Sequence, residues 1–273
     1  MKFNRENCGG MTALVTGADS GIGLCFSREL ASNGVNLIMV SNRPEELEEC
    51  ALQIKETFGV GTFPFCVDLA LNGAARQLMT FIEESNLEYQ LLINNAGIFD
   101  FKEFSSLSPK RIELYCHLHM QTLTELTWLT VNKWRENNVK GYVLNMSSMS
   151  CWMPMPGIAM YSATKAYIRV FSRAIAYELK DSGISVTVAC PGGIATDLFG
   201  LPKPLQRFAV RIGVLQTPEK FARKALKRTF KRKRQYINGG LNRISIVAVG
   251  ATPAWVRMLV KHRLLDKLGK PKP

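Results

Sequence analysis

The sequence predicts an α/β fold, a doubly wound parallel sheet flanked by helices, in a single domain over residues 1–273. Three observations predict it. Short apolar runs alternate with helix-length segments, the pattern of repeated strand–helix–strand units. The first run enters its helix through a glycine-rich turn, Thr16-Gly17-Ala18-Asp19-Ser20-Gly21-Ile22-Gly23. No Pro/Gly/Ser-rich linker divides the 273 residues, 47% of which are hydrophobic, so one large core is the economical arrangement.

Met11–Thr16 reads as the first buried strand and Ile22–Asn33 as its helix. Val35–Val40 is the second strand, followed by a helix opening near Pro44, because proline suits a first helical turn. Further strands are expected at Thr62–Val67, Gln90–Asn94, Tyr142–Met146 and Ile184–Ala189, with a short last one at Gln235–Ile237. Helices fill the intervals at Gly73–Ser85, Pro109–Glu136, Ile158–Asp181 and Pro218–Lys231. Right-handed crossovers then put a ligand at the carboxyl ends of the strands.

Lys and Arg number 35 against 22 Asp and Glu, a net charge of +13, and the excess lies beyond residue 200. Such a charge attracts polyanions: nucleic acid, anionic lipid, or a phosphorylated cofactor or carrier. Nucleic acid ranks last among these, since no recognition motif accompanies the charge. No apolar run reaches the length of a membrane span. The opening Met1–Cys8 lacks a signal-like apolar run, and the seven scattered cysteines form no Cys-x-x-Cys pair. Both features suit a reducing cytoplasm, with neither a disulfide framework nor a metal site.

Chemistry concentrates in four places. Gly17, Gly21 and Gly23 permit a tight turn and the approach of a pyrophosphate to backbone N–H groups at a helix N-terminus. Asn94-Asn95-Ala96-Gly97 ends the fourth strand, where small residues let a cofactor pass over the strand tip. Tyr161 and Lys165, four apart in one helix, stand about 5–6 Å apart at Cβ. A nearby ammonium favours the phenolate, and a hydroxyl from the preceding strand end, Ser148, can bond the same reacting oxygen. Pro191-Gly192-Gly193-Ile194-Ala195-Thr196 follows the sixth strand.

In this order and at these distances, the segments resemble the short-chain dehydrogenase/reductase family, with its TGxxxGxG, NNAG, Ser thirteen residues before YxxxK, and PG…T pattern, from about Thr12 to Thr196. The resemblance implies a Rossmann-like fold, an NAD(P) cofactor and hydride transfer between nicotinamide and a carbonyl or alcohol carbon. It makes Tyr161 the general acid/base, gives Lys165 the tasks of lowering the Tyr161 pKa and binding ribose, and has Ser148 hold the substrate oxygen. Ser147 is the competitor, but the thirteen-residue interval selects Ser148. Gly17, Ser20, Ile22, Gly23, Asp68, Asn95, Ala96, Gly97, Pro191, Gly192, Ile194 and Thr196 are the implied cofactor contacts, Asp68 at the adenine and Thr196 at the carboxamide. Asp68 reads alternatively as a helix cap. Dimers or tetramers are common in the family.

At the tip of the second strand an acid would bind the ribose hydroxyls of NAD; this chain has Ser41-Asn42-Arg43, which favours NADP, with NAD still open. The family more often carries the arginine at the position of Asn42, and Arg43 also reads as a surface residue at a helix entrance. A second departure is His119, which aligns where the family has an asparagine that holds a proton-relaying water. It stands either in the relay or as a neutral histidine packed in its helix.

Met149, Cys151, Trp152, Met153 and Met155, with Phe99 and Phe101, are expected to face the substrate cleft or to pack on their own core. An apolar ketone or alcohol, acyl or sterol-like, follows from the first alternative. Residues 197–273 form a substrate lid, Asp197–Pro204, and a basic amphipathic extension. Glu219–Arg234 suits either an anionic bilayer interface or a solvated basic face over a core helix. The reading is an oxidoreductase, cytoplasmic or membrane-peripheral; the alternative is a cofactor-binding pseudo-enzyme that acts as a lipid- or partner-binding module.

Overall fold

The computed structural model describes residues 1–195, 203–211, 215–240, 242–243, 246 and 252–265. Seven strands form one sheet in the order β3-β2-β1-β4-β5-β6-β7, every pair parallel. These are β1 (Thr12–Thr16), β2 (Asn36–Ser41), β3 (Thr62–Cys66), β4 (Leu91–Asn94), β5 (Tyr142–Met146), β6 (Ser185–Cys190) and β7 (Gln235–Ile237). The order reverses between β1 and β4, so the crevice for a ligand opens above Thr16 and Asn94.

Both sheet faces are covered, and the alternation of side chains sorts the apolar residues between them. Ala13, Val15, Leu37, Met39 and Ile93 face one layer; Leu14, Ile38, Leu92 and Val143 face the other. The first layer is made by α2 (Gly21–Ala31), α3 (Pro44–Phe58) and α9 (Pro218–Phe230), the second by α4 (Ala74–Glu84), α6 (Leu123–Glu136) and α7 (Ala159–Glu178). Ser108 caps α5 (Pro109–Cys116) by accepting from the Arg111 N–H, and Thr217 caps α9 by accepting from the Lys220 N–H. Helices α1 (Arg5–Cys8), α8 (Lys203–Arg211) and α10 (Ala254–Val260) were not expected from the sequence; each is too short for an apolar period to register.

One expectation needs correction and one open alternative is decided. The helix expected without interruption over Pro109–Glu136 contains a π-turn at His117–Thr122 between α5 and α6. The extra residue per turn swings His119 inward, where it is 1% exposed. Second, the apolar side of Glu219–Arg234 is not available to a bilayer. Phe221, Ala222, Ala225, Leu226 and Phe230 are fully buried against α2 and the sheet, with Phe221 edge-on to Phe26 and close to Tyr236. Burying one such ring stabilises by about 2–3 kcal/mol, so α9 is a core helix with a solvated basic face. Thr196 and most of the expected lid lie outside the described residues.

Candidate active site

The glycine-rich turn is shaped by contacts that exclude side chains. A Cβ on Gly23 would sit 1.8 Å from the Gly17 carbonyl oxygen, so only glycine lets α2 begin this close to β1. Gly17 and Gly21 have φ of +62° and +51°, and a Cβ on Gly21 would meet nothing within 4 Å, since it would project into open space. One cleft of about 360 Å³ runs from this turn to the sheet centre. Its nucleotide end is lined by Gly17, Ser20, Ile22 and Asn95, its far end by Ser148, Tyr161, Lys165, Gly192 and Ile194. An open, positively polarised helix start with no side chain in the way fits a dinucleotide pyrophosphate.

Thr16, at the tip of β1, fixes this geometry. Its hydroxyl accepts from the backbone N–H groups of Asn95 (2.9 Å) and Ala96 (3.0 Å) and donates to the Ile93 carbonyl (3.3 Å). Asn95 Nδ2 returns bonds to the carbonyls of Thr16 and Gly17. Beneath it, Asn94 Nδ2 donates to Asn145 Oδ1 at 2.8 Å, and Asn145 Nδ2 donates to Ser172 Oγ at 2.9 Å. These buried amides are satisfied by cross-strand register, Asn94 opposite Asn145. The sequence reading gave a role to neither Thr16 nor Asn145; a threonine at a strand end facing an Asn-rich strand end was the available signal.

Tyr161, Lys165 and Ser148 meet at the other end of the cleft. Lys165 is 4% exposed, its Nζ donates to the Met146 carbonyl at 2.9 Å, and it lies 5.6 Å from the centre of the Tyr161 ring. Ser148 stands beside Tyr161 and favours its phenolate while its Oγ accepts from the Ser150 N–H at 3.1 Å, whereas the Ser147 hydroxyl is spent on the Lys165 carbonyl at 2.7 Å; the geometry selects Ser148. The expected acidification of Tyr161 is not the net result here. Burial pushes its phenol up to about 12, against the opposing influence of Ser148. Burial also pushes the Lys165 ammonium down to about 8. Desolvation is the larger influence on both groups.

His119 sits beside them with both ring nitrogens engaged. Nε2 accepts from the Ile98 N–H at 3.0 Å, which leaves Nδ1 as the donor to Thr164 Oγ1 at 2.9 Å. Burial, then the charges of Lys165 and Arg111, hold its pKa well below 6.5. His119 is therefore a neutral brace between the β4 loop and α7, and the relay expected of it has no ring nitrogen left to use. Gly97 passes directly over it: a Cβ there would lie 3.0 Å from His119 Nε2 and 3.5 Å from Lys165 Nζ.

Other expected site residues are placed differently. Arg43 lies against the buried Asp19 carboxylate and 3.6 Å from Glu46, which holds its guanidinium over the glycine turn, while Asn42 is exposed. Asp68 Oδ1 accepts from the Ala70 N–H and caps the turn after β3. Pro191, Gly192 and Ile194 line the cleft, and the Gly192 N–H donates to Asn238 Oδ1 at 2.6 Å. Phe99 stands edge-on to Tyr161 at 5.0 Å. Cys151 and Trp152 take the core-packed one of their two expected placements, against Ile168, Val188 and Cys190, with the Arg169 guanidinium 4.4 Å over the Trp152 ring. A 3₁₀ turn at Met149–Trp152 folds them inward. The apolar wall of the cleft is supplied by Ile98, Met146 and Ile194.

Comparison with known proteins agrees with this geometry. A family model described as short chain dehydrogenase matches residues 11–202. Very-long-chain 3-oxoacyl-CoA reductase of Rattus norvegicus is 33% identical over 199 residues, 71% of this chain and 63% of that protein. The 17-beta-hydroxysteroid dehydrogenase type 3 of Mus musculus is 32% identical over 224 residues, 80% of this chain and 68% of its own. This chain thus spans somewhat under two thirds of the rat reductase. Among solved structures, a 7beta-hydroxysteroid dehydrogenase superposes with a TM-score of 0.81 at 27% identity, covering 92% of this chain and 95% of that one. A Sphingobium yanoikuyae short-chain dehydrogenase in complex with NADPH gives 0.76 at 23% identity over 96% and 98% of the two chains.

Proposed function

This chain belongs to the short-chain dehydrogenase family, and on that premise we propose that it moves a hydride between NADP(H) and the carbonyl or alcohol carbon of an apolar, lipid-like substrate. The observation that carries the reading is the convergence of Ser148, Tyr161 and Lys165 on one cleft whose other end is the open glycine turn. Relatives named for 3-oxoacyl and steroid chemistry support the apolar substrate. Arg43 over the turn, with no acid at the tip of β2, supports NADP over NAD.

A bound nicotinamide supplies the hydride in reduction. Tyr161 gives its proton to the substrate oxygen as negative charge builds there, and the Ser148 hydroxyl holds that oxygen in place. Lys165 stabilises the phenolate that remains. Because burial keeps the phenol protonated to about pH 12, the acid form needed for reduction predominates at neutral pH. Oxidation requires the phenolate and gains rate as pH rises. The Lys165 charge is present below about pH 8 and lost above it, so reduction declines as pH climbs through that value. His119 positions Gly97 and Ile98 without exchanging protons.

NADPH oxidation with a panel of hydrophobic ketones tests the reading. Tyr161→Phe is expected to lower turnover on the order of 10³-fold with NADPH binding retained; normal turnover in that variant rejects the mechanism. His119→Ala is expected to raise KM for NADPH while leaving the pH midpoint of kcat in place, and a shifted midpoint would restore the relay.

We further propose a cytoplasmic protein that self-associates and touches anionic membranes at its C-terminal part. No described helix is long and apolar enough to cross a membrane. Exposed Leu205 and Phe208 on α8, and Trp255 (70% exposed), Met258 and Leu259 on α10, neighbour Arg207, Arg211 and Arg263 in sequence, the composition of an interfacial contact. Failure to co-sediment with anionic vesicles at low salt would remove that part, and a monomer in analytical ultracentrifugation would remove self-association.

A further inference from the structure

The cleft wall formed by Pro191–Ile194 has a second side. Gly192 and Ile194 line the catalytic cleft, while Gly193 between them lines a neighbouring cavity of about 300 Å³ that also holds Lys220, Lys224 and Asn238. Lys224 and Gly239 are shared with a further cavity of about 450 Å³, bounded by Lys227, Arg228, Lys231 and Arg243. The two cavities form one groove along the outer side of α9 and the end of β7. The cavity that touches the wall at Gly193 holds two lysines, and the one that does not touch it holds five bases.

Among the described residues, six bases and no acid line this groove. Among the described residues none of the six is in an ion pair, whereas Arg223, on the α2 side of the same helix, is matched by Glu29 at 3.1 Å. Lys220, Lys224, Lys227 and Lys231 follow one another at intervals of four, three and four, and Arg228 lies four beyond Lys224 and three before Lys231, so like charges stand as neighbours on the helix surface. Each such pair destabilises a helix by a few tenths of a kcal/mol. The stripe is an uncompensated local cost that a bound polyanion removes. An independent sign is Tyr236, which is 5% exposed and lines the basic cavity, while its hydroxyl has no hydrogen-bond partner among the described residues. At the floor, Gly239 takes a φ of +74° and a Cβ on Gly240 would meet nothing within 4 Å, so the groove is open there.

We infer that this groove holds the phosphates of a coenzyme A thioester whose acyl group lies in the catalytic cleft. A polyphosphate end, a long uncharged arm and an apolar acyl end match a track whose cluster of six bases lies beyond the Pro191–Ile194 wall, while the cleft side of that wall carries Gly192 and Ile194. A free sterol would leave the stripe without a partner. The inference rests on the proposed oxidoreductase reading and selects its substrate class.

The test uses the full chain with NADPH and two substrates, acetoacetyl-CoA and the N-acetylcysteamine thioester of the same acyl group, which lacks the phosphates. Expected is a KM at least 10-fold lower for the CoA thioester, an advantage that shrinks steeply between 50 and 500 mM salt. Lys224→Glu/Lys227→Glu is expected to abolish that advantage and to leave kcat and KM for the truncated thioester unchanged. Calorimetric binding of CoA itself, lost in the same variant, supplies a readout that needs no turnover. CoA binding that depends on these lysines without reduction of any ketone would uphold the groove and reject the oxidoreductase reading. Reduction of ketones with equal KM for both thioesters would do the reverse. Two further results overturn the groove: a gain seen only when the acyl group is carried on an acidic carrier protein, or a double variant that loses anionic vesicles but keeps CoA.

Discussion

Helices α3 and α9 lie in the same layer, on either side of α2, and have the same inner construction. Each presents a strip of fully or almost fully buried apolar residues, Leu47, Ala51 and Ile54 in α3 and Phe221, Ala225, Leu226 and Phe230 in α9. Their outer sides are opposite. α3 exposes Glu45, Glu46, Glu48, Glu49 and Glu56, while α9 exposes Lys220, Arg223, Lys224, Lys227 and Arg228. Packing dictates the inner strip and is indifferent to the outer one. What differs between two helices of equal structural duty therefore reports on what each meets in solution. Acids line the helix that follows Arg43, and bases line the helix whose outer side borders the groove beyond Gly193.

The largest effects should come from breaking the part the two helices share. Phe221→Ala and Leu47→Ala each remove a side chain with no room to collapse around it, and each should cost about 3–4 kcal/mol in denaturant unfolding; a marked inequality would show that the helices are not equivalent supports. Gly23→Ala acts on α2 between them. Its Cβ must displace the Gly17 carbonyl, so a loss of about 2–3 kcal/mol is expected, together with loss of NADPH fluorescence enhancement.

Turning from charges outside to the one inside sharpens the contrast. Lys165 is buried, with a folded pKa of about 8 against an ordinary 10.5. Between those values the unfolded chain binds more protons, so native stability rises with pH from about 8 to 10.5, and the whole burial penalty is felt below 8. Lys165→Met should therefore abolish turnover and yet stabilise the apo fold by about 2 kcal/mol at pH 7. That gain should vanish near pH 10.5; a gain independent of pH would refute the electrostatic account. Smallest of all should be the outer exchanges: Glu48→Lys or Lys227→Glu should move stability by less than about 0.5 kcal/mol, and a larger shift in either would mean that surface charge helps hold its helix in place.

Much of this molecule was legible in the chain because its information is local. The strands and their helices follow from short periodic runs, and the glycine turn and the Tyr161–Lys165 pair are each contained within one helical turn or one loop. What escaped involves partners far apart in sequence. His119 is occupied by the Ile98 N–H, 21 positions away, and only the π-turn brings them together. Trp152 turns inward to meet Arg169 on α7, a distant contact that decides between the two placements its position near Ser148 left open. The composition of α9 suited a bilayer helix or a core helix, and the α2 surface that decides between them by covering its apolar side cannot be read from α9 alone. The direction of the Tyr161 shift failed for a related reason: spacing announces the nearby ammonium but says nothing of how much water has been removed.

Asn238 gives the wall at Pro191–Ile194 a further property. It accepts from the Gly192 N–H and donates to Gln216 Oε1 at 3.0 Å, so one side chain ties together backbone facing the cofactor and a loop facing the basic groove. A partition this thin cannot be stiffened from one side only. Whatever factor a CoA ligand brings to NADPH affinity, NADPH must return to CoA, and the order in which the two are added should leave the final complex the same.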